Sequence, residues 1–175
     1  IVEAGGGGNS PYYYRKNGNN VGGGNCAWPP TPFDHFGVDN NRNFPFKWGC
    51  CGGSSGFVCD QTYRGTSAGS EPEEMAIVNM IRTLVPDQRG PGDTDPAPIT
   101  ATGVYQNIHT VASVNLYTWG WTTTQMPNYA ETNNIAAHMA ASNAGGNGYP
   151  YGSIIEELYT VDGGSIDWAY GELGM

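Results

Sequence analysis

The most regular alternation of apolar and polar positions follows Ser70. Met75, Ile77, Val78, Ile81 and Leu84 recur at helical spacing, which predicts a helix running to about Val85 and stopped by Pro86. Ser70-Glu71-Pro72-Glu73 has the form of a capping box, and Pro72 falls in the first turn, where its missing N–H costs little. Over 104–117 the apolar set Val104, Ile108, Val111, Val114 and Leu116 reads as a strand, with a break near Thr110 to Ser113. A second helix fits Tyr129 to Asn143, which is rich in Ala and Met. Residues 145–153 read as loop, Ile154 to Tyr159 as a short apolar element, and Ser165 to Tyr170 as a final helical turn. Residues 1–31, 44–69 and 86–101 are turn-rich and predict loops, apart from a short strand around Tyr12-Tyr13-Tyr14. Strands alternating with helices predict an α/β fold with many loops, and 175 residues predict one domain over 1–175.

Composition narrows the partners. Seven Lys and Arg stand against 16 Asp and Glu, a net charge of −9. Nucleic acids and anionic membranes reward clustered basic residues, so neither is expected as a partner. No apolar run is long enough to span a membrane. The 27 glycines and 12 prolines fit a turn-rich chain better than a helical bundle. Ile1 is neither an initiator Met nor part of a signal peptide, so the expectation is a trimmed or partial chain.

Cys26, Cys50, Cys51 and Cys59 lie within 34 residues and admit three disulfide connectivities. Cys26 and Cys59 flank the Arg42 segment and are the favoured pair. A four-cysteine zinc site is disfavoured, because no Cys-x-x-Cys occurs and adjacent side chains point poorly at one metal. Disulfides predict a secreted, extracellular protein.

Gly37-Val38-Asp39-Asn40-Asn41-Arg42-Asn43-Phe44 carries the most distinctive chemistry. A planar guanidinium beside a carboxamide suits bidentate capture of a carboxylate. The plain alternative is a surface arginine in a polar loop. His109, within an apolar segment, reads by itself first as a core histidine held by one hydrogen bond, with metal ligation the alternative.

Taken with Trp48-Gly49, Tyr63-Arg64-Gly65-Thr66-Ser67-Ala68-Gly69-Ser70-Glu71-Pro72-Glu73, His109-Thr110 and Tyr159 to Trp168, that run resembles the M14 family of zinc carboxypeptidases. The resemblance implies part of a mixed β-sheet flanked by helices, a Zn2+ cofactor, and a monomer acting on peptide C-termini. It implies that Asn41 and Arg42 hold the terminal carboxylate and that His109 is a zinc ligand. Asp39 would accept a hydrogen bond from a zinc-bound histidine and fix its tautomer. Tyr14-Arg15-Lys16-Asn17 is similar to the family's W-R-K-N element, with Arg15 as the group that stabilises the oxyanion. Tyr159 would close over the substrate, although a tyrosine before a Gly-Gly turn is often only structural. Ile154, Val161, Gly164 and Ile166 would line the side-chain pocket and favour apolar or aromatic C-terminal residues, with Asp162 near enough to moderate that preference. Arg64 has two readings, contact with a longer peptide or a structural ion pair.

Two parts of the family pattern are absent from the sequence. No His-x-x-Glu occurs, and no glutamate follows Gly171-Glu172-Leu173 at the distance of the family's general base. The expectation is therefore the central-to-late portion of a carboxypeptidase domain, inactive as a 175-residue chain. The rival expectation is a non-catalytic module that binds peptide C-terminal carboxylates.

Overall fold

The computed structural model describes residues 15–31, 33–109, 112–142 and 148–175. The expected strand at Tyr12 to Tyr14 lies outside them.

Helix α1 spans Pro72–Leu84, with Pro72 in its first turn as the sequence predicts. The capping box does not form. The helix starts from Glu71, whose side chain makes no cap hydrogen bond. The Ser70 hydroxyl instead donates to Glu71 Oε1 at 2.7 Å, and the Glu71 N–H donates to Asn43 Oδ1 at 3.0 Å. The box needs the Ser70 hydroxyl and the Ser70 N–H, but that hydroxyl also accepts from the Asn43 amide at 3.0 Å and that N–H donates to Ser67 O at 3.2 Å. The inward row is Glu74, Val78 and Ile81, one face at i, i+4, i+7. Leu84 is 73% exposed, so the buried stripe is narrower than the apolar pattern suggests.

The segment expected as a long strand is mostly irregular. Only β1, Asn115–Tyr117, is a strand, and it pairs in parallel with β2, Tyr151–Ser153, Leu116 opposite Gly152. Among the described residues nothing pairs with 104–109, where Val104 and Ile108 lie exposed, and a strand without a ladder is not held. β2 corrects the expectation of a continuous loop over 145–153. Helix α2, Tyr129–Ser142, packs over this pair through Ala136 and Ala140, and Tyr117 donates its hydroxyl proton to Asn133 Oδ1 at 3.0 Å. A single helical turn, α3 (Ile154–Glu157), leaves β2 directly.

Helix α4, Ser165–Leu173, is longer than the predicted turn and stops at left-handed Gly174. It is the central element. On one side Trp168, Ala169 and Leu173 meet Val78 and Ile81 of α1, with Phe44 against Trp168 at 5.5 Å between rings. On the other, Tyr170 packs edge-on to Trp119 at 5.2 Å, within a second cluster holding Tyr117, Met126 and Ala136. Burying each such side chain is worth about 1.5–3 kcal/mol, so α4 joins the two halves of the core. The result is a mixed α/β arrangement of helices around a short parallel sheet. Among the described residues no helix is long and apolar enough to cross a membrane.

Disulfide Cys26–Cys59 is present as favoured, and the other two cysteines pair as Cys50–Cys51. No cysteine is free to bind zinc.

Candidate functional site

The site is built around one tight turn. Asp39 accepts the Asn41 N–H at 3.2 Å and opens a 3-10 turn, Asn40–Arg42, that sends the Asn41 and Arg42 side chains out in succession. Asn43, fully buried, then holds the next loop: its amide donates to Arg64 O, Ser67 O and Ser70 Oγ at 2.8, 3.0 and 3.0 Å.

Two donors of this turn are aimed rather than consumed. Asn41 Oδ1 accepts the Ser165 N–H at 2.9 Å, which fixes the amide's orientation and leaves its Nδ2 without a partner among the described residues. Arg42 is 1% exposed. Its Nε donates to Gly53 O at 3.0 Å and its Nη1 to Asn41 O at 2.8 Å, while Nη2 has no hydrogen-bond partner among the described residues. Nε and Nη1 are each tied to a backbone carbonyl, and Nη2, which both edges of the guanidinium share, is left over.

Arg15 reaches Asp39 with Nη2 at 3.0 Å from Oδ2. Its neighbour Lys16 holds it there: Lys16 Nζ donates to the carbonyls of His35, Val58 and Asp60 at 2.6, 2.8 and 2.7 Å. Asp39 is 2% exposed, and its Oδ2, though ion-paired with Arg15, accepts no hydrogen bond of good geometry. His109 is exposed by area, yet neighbouring atoms crowd its ring. Loss of hydration is the first cause that lowers its pKa, the Arg15 and Arg42 charges add to it, and Asp39 opposes them. Arg15, Asp39, Arg42 and His109 therefore share one electrostatic neighbourhood.

Tyr159 is 52% exposed and lines the rim of an open concavity of about 530 Å³ with Gly52, Gly53, Ser54, Ser55, Thr62 and Thr160. Ile154 and Val161 are buried together beside Gly120, where an added methyl would lie 3.2 Å from Ile154 Cγ2 and 3.0 Å from Val161 Cβ. Gly164 lies between Val161 and Asn41. Ile166 is half-buried on the first turn of α4.

Two buried acids flank these positions, and both are occupied. Asp162 was expected to influence the pocket, but its oxygens turn to the loop at 51–54 and accept the Cys51 and Gly53 N–H groups at 3.0 Å each and the Ser54 hydroxyl. Asp167 accepts the Gly120 N–H at 2.9 and 3.1 Å. Burial pushes its carboxyl up to about 7 against the pull of N–H donors from Gly120 and Trp121. Sequence reasoning gave neither residue this role, since their partners lie far along the chain. Arg64 is structural in its contacts: Nη1 donates to Ser54 O at 3.2 Å and the guanidinium lies over Trp48 at 5.3 Å.

A catalytic zinc site takes three protein ligands. Among the described residues the one cluster with that potential is Cys26, Asp34 and Cys59, whose sulfurs are joined in the disulfide. The described residues alone do not fit a zinc ion. Near Asp39 they offer one imidazole, His109, whose charge Asp39 influences.

The zinc carboxypeptidase family model matches residues 10–175. Carboxypeptidase A1 of Bos taurus is 36% identical over 138 residues, which are 78% of this chain and 29% of that protein. Zinc carboxypeptidase A 1 of Anopheles gambiae is 32% identical, again over 78% of this chain and 28% of its own length. The solved carboxypeptidase A from Helicoverpa armigera superimposes with a TM-score of 0.64 at 30% identity, covering 78% of this chain and 31% of that one. Thrombin activatable fibrinolysis inhibitor gives 0.61 at 30% identity, with 77% and 31% covered. The chain thus spans about three-tenths of the length of the curated relatives it matches.

Proposed function

The chain belongs to the zinc carboxypeptidase family, and from that premise we propose that it supplies the terminus clamp and side-chain pocket of a metallocarboxypeptidase. The full-length protein removes single apolar or aromatic residues from peptide C-termini. The observation that carries this reading is the pair of aimed donors, Asn41 Nδ2 and Arg42 Nη2, whose neighbouring atoms are each fixed by a backbone partner. Preorganised, charge-assisted donors of this kind select a carboxylate over an amide.

Each residue then has a task at a stated atom. Asn41 and Arg42 receive the terminal carboxylate, and the Tyr159 hydroxyl reaches it from the rim. Arg15, held by Lys16, donates to the carbonyl oxygen of the last peptide bond as charge develops there. Asp39 Oδ2 receives an imidazole N–H and keeps that ring in one tautomer. His109 would be one ligand of a zinc ion, which the described residues alone do not fit. Zinc, when bound, supplies a polarised water for hydrolysis.

The pocket preference rests on what the nearby acids are doing. A pocket for Lys or Arg termini needs a free carboxylate, and both Asp162 and Asp167 are spent on backbone donors. Ile154, Val161 and Ile166 then offer apolar contact.

The test is mass spectrometry of peptides ending in Phe, free or amidated, after incubation with the full-length protein. Loss of one residue from the free peptide alone is expected. Internal cleavage, or equal action on the amide, would contradict an exopeptidase. Binding of the free terminus without cleavage would assign the chain to a carboxylate-binding module instead.

A further inference from the structure

We infer that Asp162 is a positioning residue for the terminus clamp: its carboxylate seats the loop at 51–54, whose Gly53 carbonyl sets the Arg42 guanidinium. The inference rests on Arg42 being the clamp.

Asp162 is completely buried. A buried carboxylate is tolerated only when its lone pairs are used. Here Oδ2 accepts two backbone N–H groups, from Cys51 and Gly53, at 3.0 Å each, and Oδ1 accepts the Ser54 hydroxyl. All three donors belong to one short loop, 108 to 111 residues upstream. That convergence gives the loop one seat rather than several.

The loop lies directly on the backbone beneath it. A Cβ on Gly53 would stand 2.5 Å from Asp162 N and 2.6 Å from Val161 C, atoms that cannot move aside. The glycine permits the contact and the carboxylate holds it. The same glycine's carbonyl accepts Arg42 Nε at 3.0 Å. On the other side of Asp162, Gly163 (φ +63°) packs its Cα against the Arg42 carbonyl, and its own carbonyl accepts the Phe44 N–H at 3.0 Å. Residues 161–163 therefore grip Arg42 twice, through its backbone directly and through its side chain by way of Gly53.

The chemistry asks for a carboxylate at this position. Cys51 and Gly53 present fixed N–H donors to one oxygen, and the Ser54 hydroxyl, which can donate or accept, meets the other, so an amide could turn its NH2 to Ser54 but would hold the two N–H groups without the charge that roughly doubles the strength of such bonds. The loop would then be held more weakly, the Gly53 carbonyl would shift, and Arg42 would lose the anchor that orients its Nη2.

The test uses the full-length protein and two probes, N-acetyl-phenylalanine and its amide, with dissociation constants measured by calorimetry. Asp162→Asn should weaken the free acid about tenfold and leave the amide unchanged, as expected for a misaligned charge-assisted contact. In peptide hydrolysis the larger part of the change should fall on KM. In an Arg42→Ala background the same substitution should have no further effect, because the contact it aims is already gone. Ser54→Ala removes only the hydroxyl donor and should act in the same direction by about threefold, which keeps the test open if Asp162→Asn does not fold. Unchanged acid affinity in both variants, or a loss that persists in the Arg42→Ala background, would overturn the proposal. Undiminished acid affinity in Arg42→Ala alone would overturn the clamp reading, and this inference with it.

Discussion

Glu74→Gln should flatten a pH dependence that wild-type stability carries. Glu74 occupies the inward row of α1 with Val78 and Ile81, is 2% exposed, and leaves Oε2 without a hydrogen-bond partner. Loss of hydration is the main cause that raises its carboxyl from 4.5 to about 7; the charges of Glu73, Glu71 and Asp39 raise it further, and its own backbone N–H opposes them. Between those two values the folded protein holds a proton that the unfolded chain has released. Glu74 therefore contributes stability that is fully present below about pH 4.5 and is lost as pH rises through about 7. Each pH unit is worth about 1.36 kcal/mol, so the whole gap is worth up to about 3 kcal/mol. Asp167, also raised to about 7, acts in the same direction, so the wild-type profile alone does not isolate Glu74. The informative quantity is the difference between variant and wild type. Urea denaturation of the full-length proteins at pH 4, 5, 6, 7 and 8 measures it. The variant's advantage should grow by up to about 3 kcal/mol from the lowest pH to the highest. A difference that stays constant across that range would refute the assignment of a proton to Glu74 in the folded state.

Ile166→Asp should shift preference toward peptides ending in Lys or Arg, because a half-buried carboxylate there is favoured when a cationic side chain pairs with it. The ratio of kcat/KM for Lys against Phe termini measures this, and an unmoved ratio would remove Ile166 from the pocket. Replacing Cys26 and Cys59 together with Ser should cost about 3–4 kcal/mol in urea denaturation, the expectation for closing a loop with a sequence separation of 33. A loss below about 1 kcal/mol would mean that the Lys16 contacts to His35, Val58 and Asp60 hold that loop without the bridge.

What the sequence made legible follows from the range of the interactions involved. α1 and α2 are specified by local periodicity and punctuated by Pro72 and Pro86, so their spans were readable. The Ser70 capping box was readable too, yet it does not form, because the Ser70 hydroxyl is taken by Glu71 and the buried Asn43 amide and the Ser70 N–H by the Ser67 carbonyl. The strand pattern at 104–109 promised a sheet position, but a strand forms only where a ladder partner exists, and β1 keeps just the three residues that β2 can pair. α4 runs three residues beyond the turn that 165–170 suggest, to a stop at left-handed Gly174, because Ala169 and Leu173 are held by the core around them. In the site, Asn41 and Arg42 were legible because a contiguous motif carries them. Asp162 and Asp167 were not, because an aspartate's role depends on which N–H groups arrive in space, here those of Cys51, Gly53 and Gly120. The Cys26–Cys59 pair was favoured from its position around the Arg42 segment, and that pairing leaves Cys50 with Cys51.

If Arg42 holds a peptide's terminal carboxylate, Arg42→Ala in the full-length protein must separate free from amidated C-termini. Paired kcat/KM values for one peptide with a free C-terminus and the same peptide amidated are the measurement. The expected loss is about 1.5–3 kcal/mol or more on the free peptide, roughly tenfold to more than a hundredfold, and small on the amide. An equal loss on both substrates would contradict it.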